Sequence, residues 1–428
     1  MIDVCDWKPA DGLTLEPNAL LAATEQQKSL ALTAGPGAGK TEMLAQRADF
    51  LLRTGISRYP KRILAISFKV DASNNLKERV KRRVGVDLAR RFDSYTFHAF
   101  AKQIIDRFRP ILTGDDALDN DYKIVSRKNG PSTKEIEYSD LIPLAIKIIK
   151  NSILAKNAIR QTYSDVFLDE FQDCTTQQYK FLKVAFGGAN IRLTAVGDTK
   201  QRIMGWAGAM DGIFKVFVDD FFALPLNMYR NFRSEPRLLR LQNEIIKTLD
   251  PDSVMEDKEL AEEGGKIVFR RFEDCEQEAH KIAGKVESWI EKDGIPPSEI
   301  AILISKQTSL YAHKLIKELE LRGIPFRDEQ QMQDIAVEPI SNLIVDYLSC
   351  LYGQREPDSW LRLRGQIILF ADDEYSYLRE GVELLLKQQR KEVFSINSNE
   401  NAYSKWWKYA CAFLKLVDID LCMSLSPD

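Results

Sequence analysis

Histidine is almost absent: the chain of 428 residues holds three, His98, His280 and His313. Its six cysteines, at 5, 174, 275, 350, 411 and 422, form no C-x-x-C pair, so no zinc-binding spacing can be assembled. Scattered, reduced thiols suit the cytosol. No apolar run approaches the roughly 18 residues of a membrane span. The acidic opening Met-Ile-Asp-Val-Cys-Asp also lacks the basic-then-apolar pattern of a secretory signal. A cytoplasmic protein without membrane contact is expected. Positive charge is not in excess either, 60 Lys and Arg standing against 63 Asp and Glu for a net charge of −3. A nucleic-acid partner would therefore need a locally positive groove. Glycine (22) and proline (16) are too few for collagen-like or low-complexity chains. What remains is ordinary globular material, 44% hydrophobic and 29% charged, long enough for about three domains.

Short apolar runs alternate with helical periodicities. Residues 29–34 (S-L-A-L-T-A) stop at a Gly/Pro-rich turn, after which Met43, Leu44, Arg47, Phe50 and Leu51 recur at helical spacing. The apolar runs at 62–68, 165–168 and 192–196 continue the series. This alternation predicts an α/β fold with a parallel sheet covered on both faces. Residues 102–160 break the rhythm with an amphipathic run at 142–150, predicting a helical insertion. Later, strands expected at 266–272 and 300–305 mark a second α/β domain, and the segment after about 341 reads as mostly helical. The expected division is 1–101, 102–160, 161–230, 231–340 and 341–428.

Two strings carry chemistry. Ala34, Gly35, Pro36, Gly37, Ala38, Gly39, Lys40 and Thr41 follow a strand and open a helix, the context in which a glycine-rich loop cradles phosphates. Lys40 would neutralise the β- and γ-phosphates, and Thr41 would offer its hydroxyl to Mg²⁺. Ala34 stands where the general pattern has its first glycine. The second string, V-F-L-D-E-F-Q-D at 166–173, ends a strand on two adjacent carboxylates. Ligands of open α/β sheets bind at such strand ends. Asp169 would hold the metal ion, and Glu170 would accept a proton from the attacking water.

With these strings in order, the chain resembles superfamily 1 DNA helicases of the UvrD/Rep/PcrA type over residues 24 to about 335. D-E-F-Q-D is highly specific to that family, which also tolerates alanine at the start of its phosphate loop. The resemblance implies a P-loop NTPase with two RecA-like parallel-sheet domains plus helical accessory subdomains. ATP and Mg²⁺ would sit between those domains, with single-stranded or partly duplex DNA across their tops and movement 3′ to 5′. The segment at 65–73 resembles the first DNA-contacting motif, with Phe68 as its stacking aromatic. Y-T-F-H-A-F at 95–100 resembles T-F-H-S-F, which implies DNA contacts from Phe97 and His98. The string 197–209 resembles G-D-x-x-Q-x-I-Y-x-[FW]-R-G-A, making Gln201 a γ-phosphate sensor and Trp206 a base-stacking residue. N-F-R-S at 231–234 resembles N-Y-R-S, implying adenine stacking by Phe232 and γ-phosphate contact by Arg233. Gln26 or Gln27 would read adenine.

Departures from the pattern are specific. Met204 and Ala207 replace the usual Tyr and Arg, and no K-G-L-E-[FW] or T-R-A segment follows. The resemblance ends unfinished, as in a piece of a longer chain or an incomplete motor. Seen singly, Phe68, Phe97 and Phe232 read as core aromatics, and the run Lys77–Arg83 as a solvated helix face. Two rival functions stand beside the helicase. One is an ATP-responsive DNA-binding subunit of a repair or anti-phage nuclease complex, which the missing motifs favour. The other is a small-molecule kinase, which explains the phosphate loop alone. The resemblance also admits a nuclease or repair partner protein.

Overall fold

The computed structural model describes residues 1–125, 127, 130, 132–201, 208–249, 254, 263–305, 307–329, 338–353, 357–370, 375–395 and 402–417. They divide into two compact units, Met1–Val268 and Phe269–Asp428.

The first unit is built on β1 (Leu30–Ala34), β2 (Arg62–Ser67), β3 (Phe92–Thr96), the short β4 (Lys123–Val125) and β5 (Glu135–Glu137), β6 (Tyr163–Leu168), β7 (Arg192–Gly197) and β8 (Leu224–Met228). Six of these form one sheet in the order β3-β2-β6-β7-β1-β8, parallel throughout. Side chains of a strand alternate between faces, and here each face has its own core. Leu30, Leu32, Ile63 and Ala65 pack on one side with α1 (Pro17–Thr24), α2 (Lys40–Arg53) and α3 (Val70–Val84). The short α4 (Val86–Ala89) follows that layer. Ala31, Leu64, Ile66 and Val166 pack on the other side, under α5 (Phe97–Phe108), α6 (Leu141–Asn151), α7 (Ile153–Thr162), α8 (Thr176–Phe186) and α9 (Ile213–Phe221). Burial on both faces is why these strands read as continuous apolar runs rather than as alternating ones. Helix starts follow local chemistry. The Thr96 hydroxyl accepts from Ala99 N–H at α5, and Thr175 and Gln178 close a capping box at α8. The insertion expected at 102–160 holds α6 and α7, but also the small parallel ladder β4–β5.

The first unit closes with α10 (Pro236–Leu249). In the second unit, α11 (Cys275–Glu291), the short α12 (Thr308–Tyr311) and α13 (His313–Leu321) come first. Ala283, Val286, Leu319 and Ile324 pack together there. Four further helices, Pro339–Tyr352, Pro357–Phe370, Tyr375–Ser395 and Ala402–Leu416, share a separate core in which Tyr347 and Phe413 stack at 4.0 Å. The described residues after 338 are almost all helical. The runs expected as strands at 266–272 and 300–305 carry no strand pairing among the described residues. Several of their apolar side chains stand in the open, Phe269 86% and Leu303 94% exposed. A local apolar pattern sets extended tendency, but a strand exists only where a neighbour completes its hydrogen-bond ladder.

Candidate nucleotide and DNA site

Parallel strands bring their C-terminal ends to one edge, and the chemistry collects there. The phosphate loop leaves β1 through Gly37 and Gly39, at φ +72° and +79°, values that side-chain-bearing residues rarely adopt. Lys40 starts α2 and turns its Nζ back into the loop, donating to the carbonyls of Ala34 and Gly35 at 3.3 Å each. The loop is thereby already wound around a cation. Thr41 follows, half-buried in the first turn of α2.

Two strands away from β1, β6 delivers Asp169, 5% exposed. Burial, and secondarily the neighbouring Glu170, push its carboxyl up to about 6, against the pull of the Glu170 N–H and the charges of Lys40 and Arg79. Glu170 itself sits at φ +50°. A left-handed backbone at a non-glycine residue costs about 1–3 kcal/mol and persists where surroundings over-determine it. Its carboxylate accepts from Gln172 Nε2 at 2.9 Å.

The turn Asn231–Ser234 is built by one side chain, Asn231 Oδ1 accepting from the N–H groups of Arg233 (2.8 Å) and Ser234 (2.9 Å). It is pinned to the phosphate loop by Phe232 N–H donating to Gly37 O at 2.9 Å. The Phe232 ring is 59% exposed. Arg233 is exposed beside it. A Cβ at Gly37 would overlap Asn231 Oδ1 and lie 2.8 Å from Arg233 Cβ. Gly37→Ala is therefore expected to weaken nucleotide binding at least about tenfold and to cost about 1–3 kcal/mol of stability. Titration with a fluorescent ATP analogue beside a thermal melt checks both numbers.

At the end of β7, Gln201 closes a short turn with its N–H donating to Asp198 O at 3.0 Å. Gln201, Asp198 and Pro36 of the phosphate loop line one cavity of about 610 Å³, walled opposite by Leu238, Leu241 and Ile245 of α10. Trp206 lies outside the described residues.

Three sequence expectations need correction. Gln26 and Gln27 precede β1, at the end of the strand opposite the phosphate loop, and five residues at about 3.3 Å each separate the two ends. The Gln26 carbonyl accepts from Arg192, at the start of β7. The segment that does reach the site is the start of α1, which sequence reasoning missed. Glu16 accepts from the N–H groups of Tyr229 (3.2 Å) and Arg230 (2.9 Å), and Asn18 donates to Asn227 O at 2.6 Å. Its only sequence signal was a helix start with Pro17 in the first turn. Phe97 is 4% exposed and belongs to the core, because the first turn of α5 directs it under the sheet. Its neighbour His98 stays half-exposed and stacks on Tyr138 at 4.1 Å, burial holding its imidazole below the usual pKa. Phe68 is half-buried just after β2. Finally, the Lys77–Arg83 face is not wholly solvated. Arg79 and Arg83 both donate to Glu42 in the first turn of α2, at 3.1 and 3.0 Å, and the Arg83 side chain is 10% exposed.

A glycine-shaped loop between a parallel strand and a helix, with a buried aspartate at a nearby strand end, defines a RecA-type P-loop domain. Residues 15–130 and 116–222 match the UvrD/REP helicase N-terminal domain, and residues 226–391 match the UvrD-like helicase C-terminal domain. The chain belongs to the UvrD/Rep family of DNA helicases, whose domains are RecA-like. It is 24% identical over 350 residues to a probable DNA helicase II homolog of Mycoplasma genitalium, covering 64% of this chain and 50% of that protein. It is also 24% identical over 360 residues to the ATP-dependent DNA helicase PcrA of Leuconostoc citreum, covering 69% and 47%. The ATP-dependent DNA helicase Rep of Escherichia coli is 24% identical over 314 residues, covering 59% and 46%. The chain spans about half the length of the curated relatives it matches. No described helix is long and apolar enough to cross a membrane.

Proposed function

We propose that this protein hydrolyses ATP to move 3′ to 5′ along single-stranded DNA and to open partly duplex DNA. The observation that carries the reading is the convergence, at one sheet edge, of Lys40, the Asp169–Glu170 pair and the Asn231–Ser234 turn hydrogen-bonded to the phosphate loop. Lys40 and the loop N–H groups would hold the β- and γ-phosphates, and Arg233 would meet the γ-phosphate from the exposed side. Phe232 would stack on the base. Thr41 and Asp169 fit Mg²⁺, since both are hard oxygen donors and Asp169 lies buried at its strand end. Among the described residues no group of three or more His, Cys, Asp or Glu could hold a metal alone. Phosphate oxygens and water would complete the shell, as is usual for Mg²⁺. Held there, such an ion would supply positive charge against the charge that develops on the phosphates. Glu170 would take the proton from the attacking water.

DNA contacts would come from His98 and Phe68 on the sheet edge and from Trp206. Stacking ignores base identity, as a motor moving along any strand requires. Trp206→Ala should lower single-strand affinity by about 1–3 kcal/mol while nucleotide affinity holds. Anisotropy with a labelled oligonucleotide measures it, and unchanged DNA affinity would return Trp206 to a packing role.

The test of the function is ATPase stimulation by single-stranded DNA together with displacement of streptavidin from end-biotinylated oligonucleotides. Movement 3′ to 5′ clears the 5′ end and leaves the 3′ end occupied. Hydrolysis without displacement from either end would favour a binding module over a motor.

A further inference from the structure

The second glutamine-bearing string in the site has an unassigned member. Gln172 is 3% exposed and uses both ends of its amide. Its Nε2 donates to Glu170 Oε2 at 2.9 Å, and its Oε1 accepts from Asp198 N–H at 3.0 Å. The orientation follows from these partners, because a flipped amide would set oxygen against carboxylate and NH₂ against N–H. Gly197 makes the approach possible, since a Cβ there would overlap Gln172 Oε1. Asp198 in turn accepts from Gln201 N–H at 3.0 Å through its carbonyl and from Lys200 N–H at 3.0 Å through Oδ1. One buried amide therefore joins the Glu170 carboxylate to the strand end that carries Gln201.

We infer that Gln172 is a positioning residue, aiming the Glu170 carboxylate and tying its placement to the Gly197–Gln201 turn. The inference rests on the proposed role of Glu170 as proton acceptor. Glu170 stands on a left-handed backbone, so its direction depends on what grips its side chain. A change in the Gly197–Gln201 turn on γ-phosphate contact would reach the carboxylate through a single amide. The exposed end of the site would then report to the water-activating group without any movement of β6.

Two variants of the full 428-residue chain separate positioning from packing. Gln172→Glu keeps an acceptor for Asp198 N–H and loses the donor to Glu170, whereas Gln172→Met loses both. Single-turnover ATP hydrolysis with Mg²⁺, affinity for a fluorescent non-hydrolysable ATP analogue, and melting temperature are read for each. Positioning predicts that both variants lose about ten- to hundredfold in turnover, with analogue affinity within about threefold of the parent. Parent-like turnover in Gln172→Glu with loss only in Gln172→Met would overturn the inference and leave Gln172 a strap on β7. Parallel loss of turnover, affinity and melting temperature in Gln172→Glu would overturn it too. Glu170→Gln, run alongside, keeps the two readings apart. If it hydrolyses ATP normally, the role of Glu170 fails. If it is inactive while the Gln172 variants are normal, only the present inference fails.

Discussion

Glu170→Gln should bind ATP and Mg²⁺ as the parent does and hydrolyse ATP about 10²–10⁴-fold more slowly, the usual worth of a positioned general base. The substitution keeps the side-chain length and leaves Asp169, the proposed metal ligand, untouched. A glutamine oxygen can still accept from Gln172 Nε2, so the strained backbone at φ +50° keeps its anchor. What is lost is the capacity to take a proton. Equilibrium binding of a fluorescent ATP analogue and single-turnover hydrolysis measure the two halves separately. Turnover at the parent rate would refute the assignment of the carboxylate pair.

Lys40→Ala should act on the other half, weakening nucleotide binding by about 2–5 kcal/mol, the cost of truncating one partner of a buried charged pair. Lys40 already donates into its own loop at 3.3 Å to two carbonyls, so its side chain is turned toward the proposed phosphate site. Its charge also holds the Asp169 carboxyl down against burial. Removing it raises that pKa further and disfavours the ionised form that Mg²⁺ requires. Affinity should therefore fall for ATP and for Mg²⁺ together. Calorimetric titration at fixed pH checks the first, and the metal dependence of analogue binding checks the second. An unchanged melting temperature would show that the two loop carbonyls find other donors.

The phosphate loop was legible because its chemistry is local. Glycines that must adopt positive φ, a lysine and a threonine stand within eight residues, and nothing distant is needed to recognise them. D-E-F-Q-D was legible for the same reason, as an apolar strand running into paired carboxylates. Gln172 lay inside that string, yet its role did not show. Its partner Asp198 is 26 residues further along, just past the end of another strand. Glu16 was equally hidden, because its contacts with Tyr229 and Arg230 join positions more than 200 residues apart. Phe97 and His98 look interchangeable in a string of letters. One turn of α5 sends the first into the core and leaves the second half-exposed against Tyr138.

By itself, then, the sequence determined the α/β class, the phosphate loop and the carboxylate pair, all of them consequences of short-range pattern and backbone permissiveness. Which end of β1 each flanking residue occupies, which aromatics remain accessible, and which arginines of α3 turn inward to Glu42 were decided only by the tertiary structure. So was the lack of strand pairing at 266–272 and 300–305 among the described residues, where the apolar pattern alone predicts strands. The physical reason is common to all of these. Register, burial and hydrogen-bond ladders are properties of pairs of segments, and a pair is specified only when the fold brings both members together.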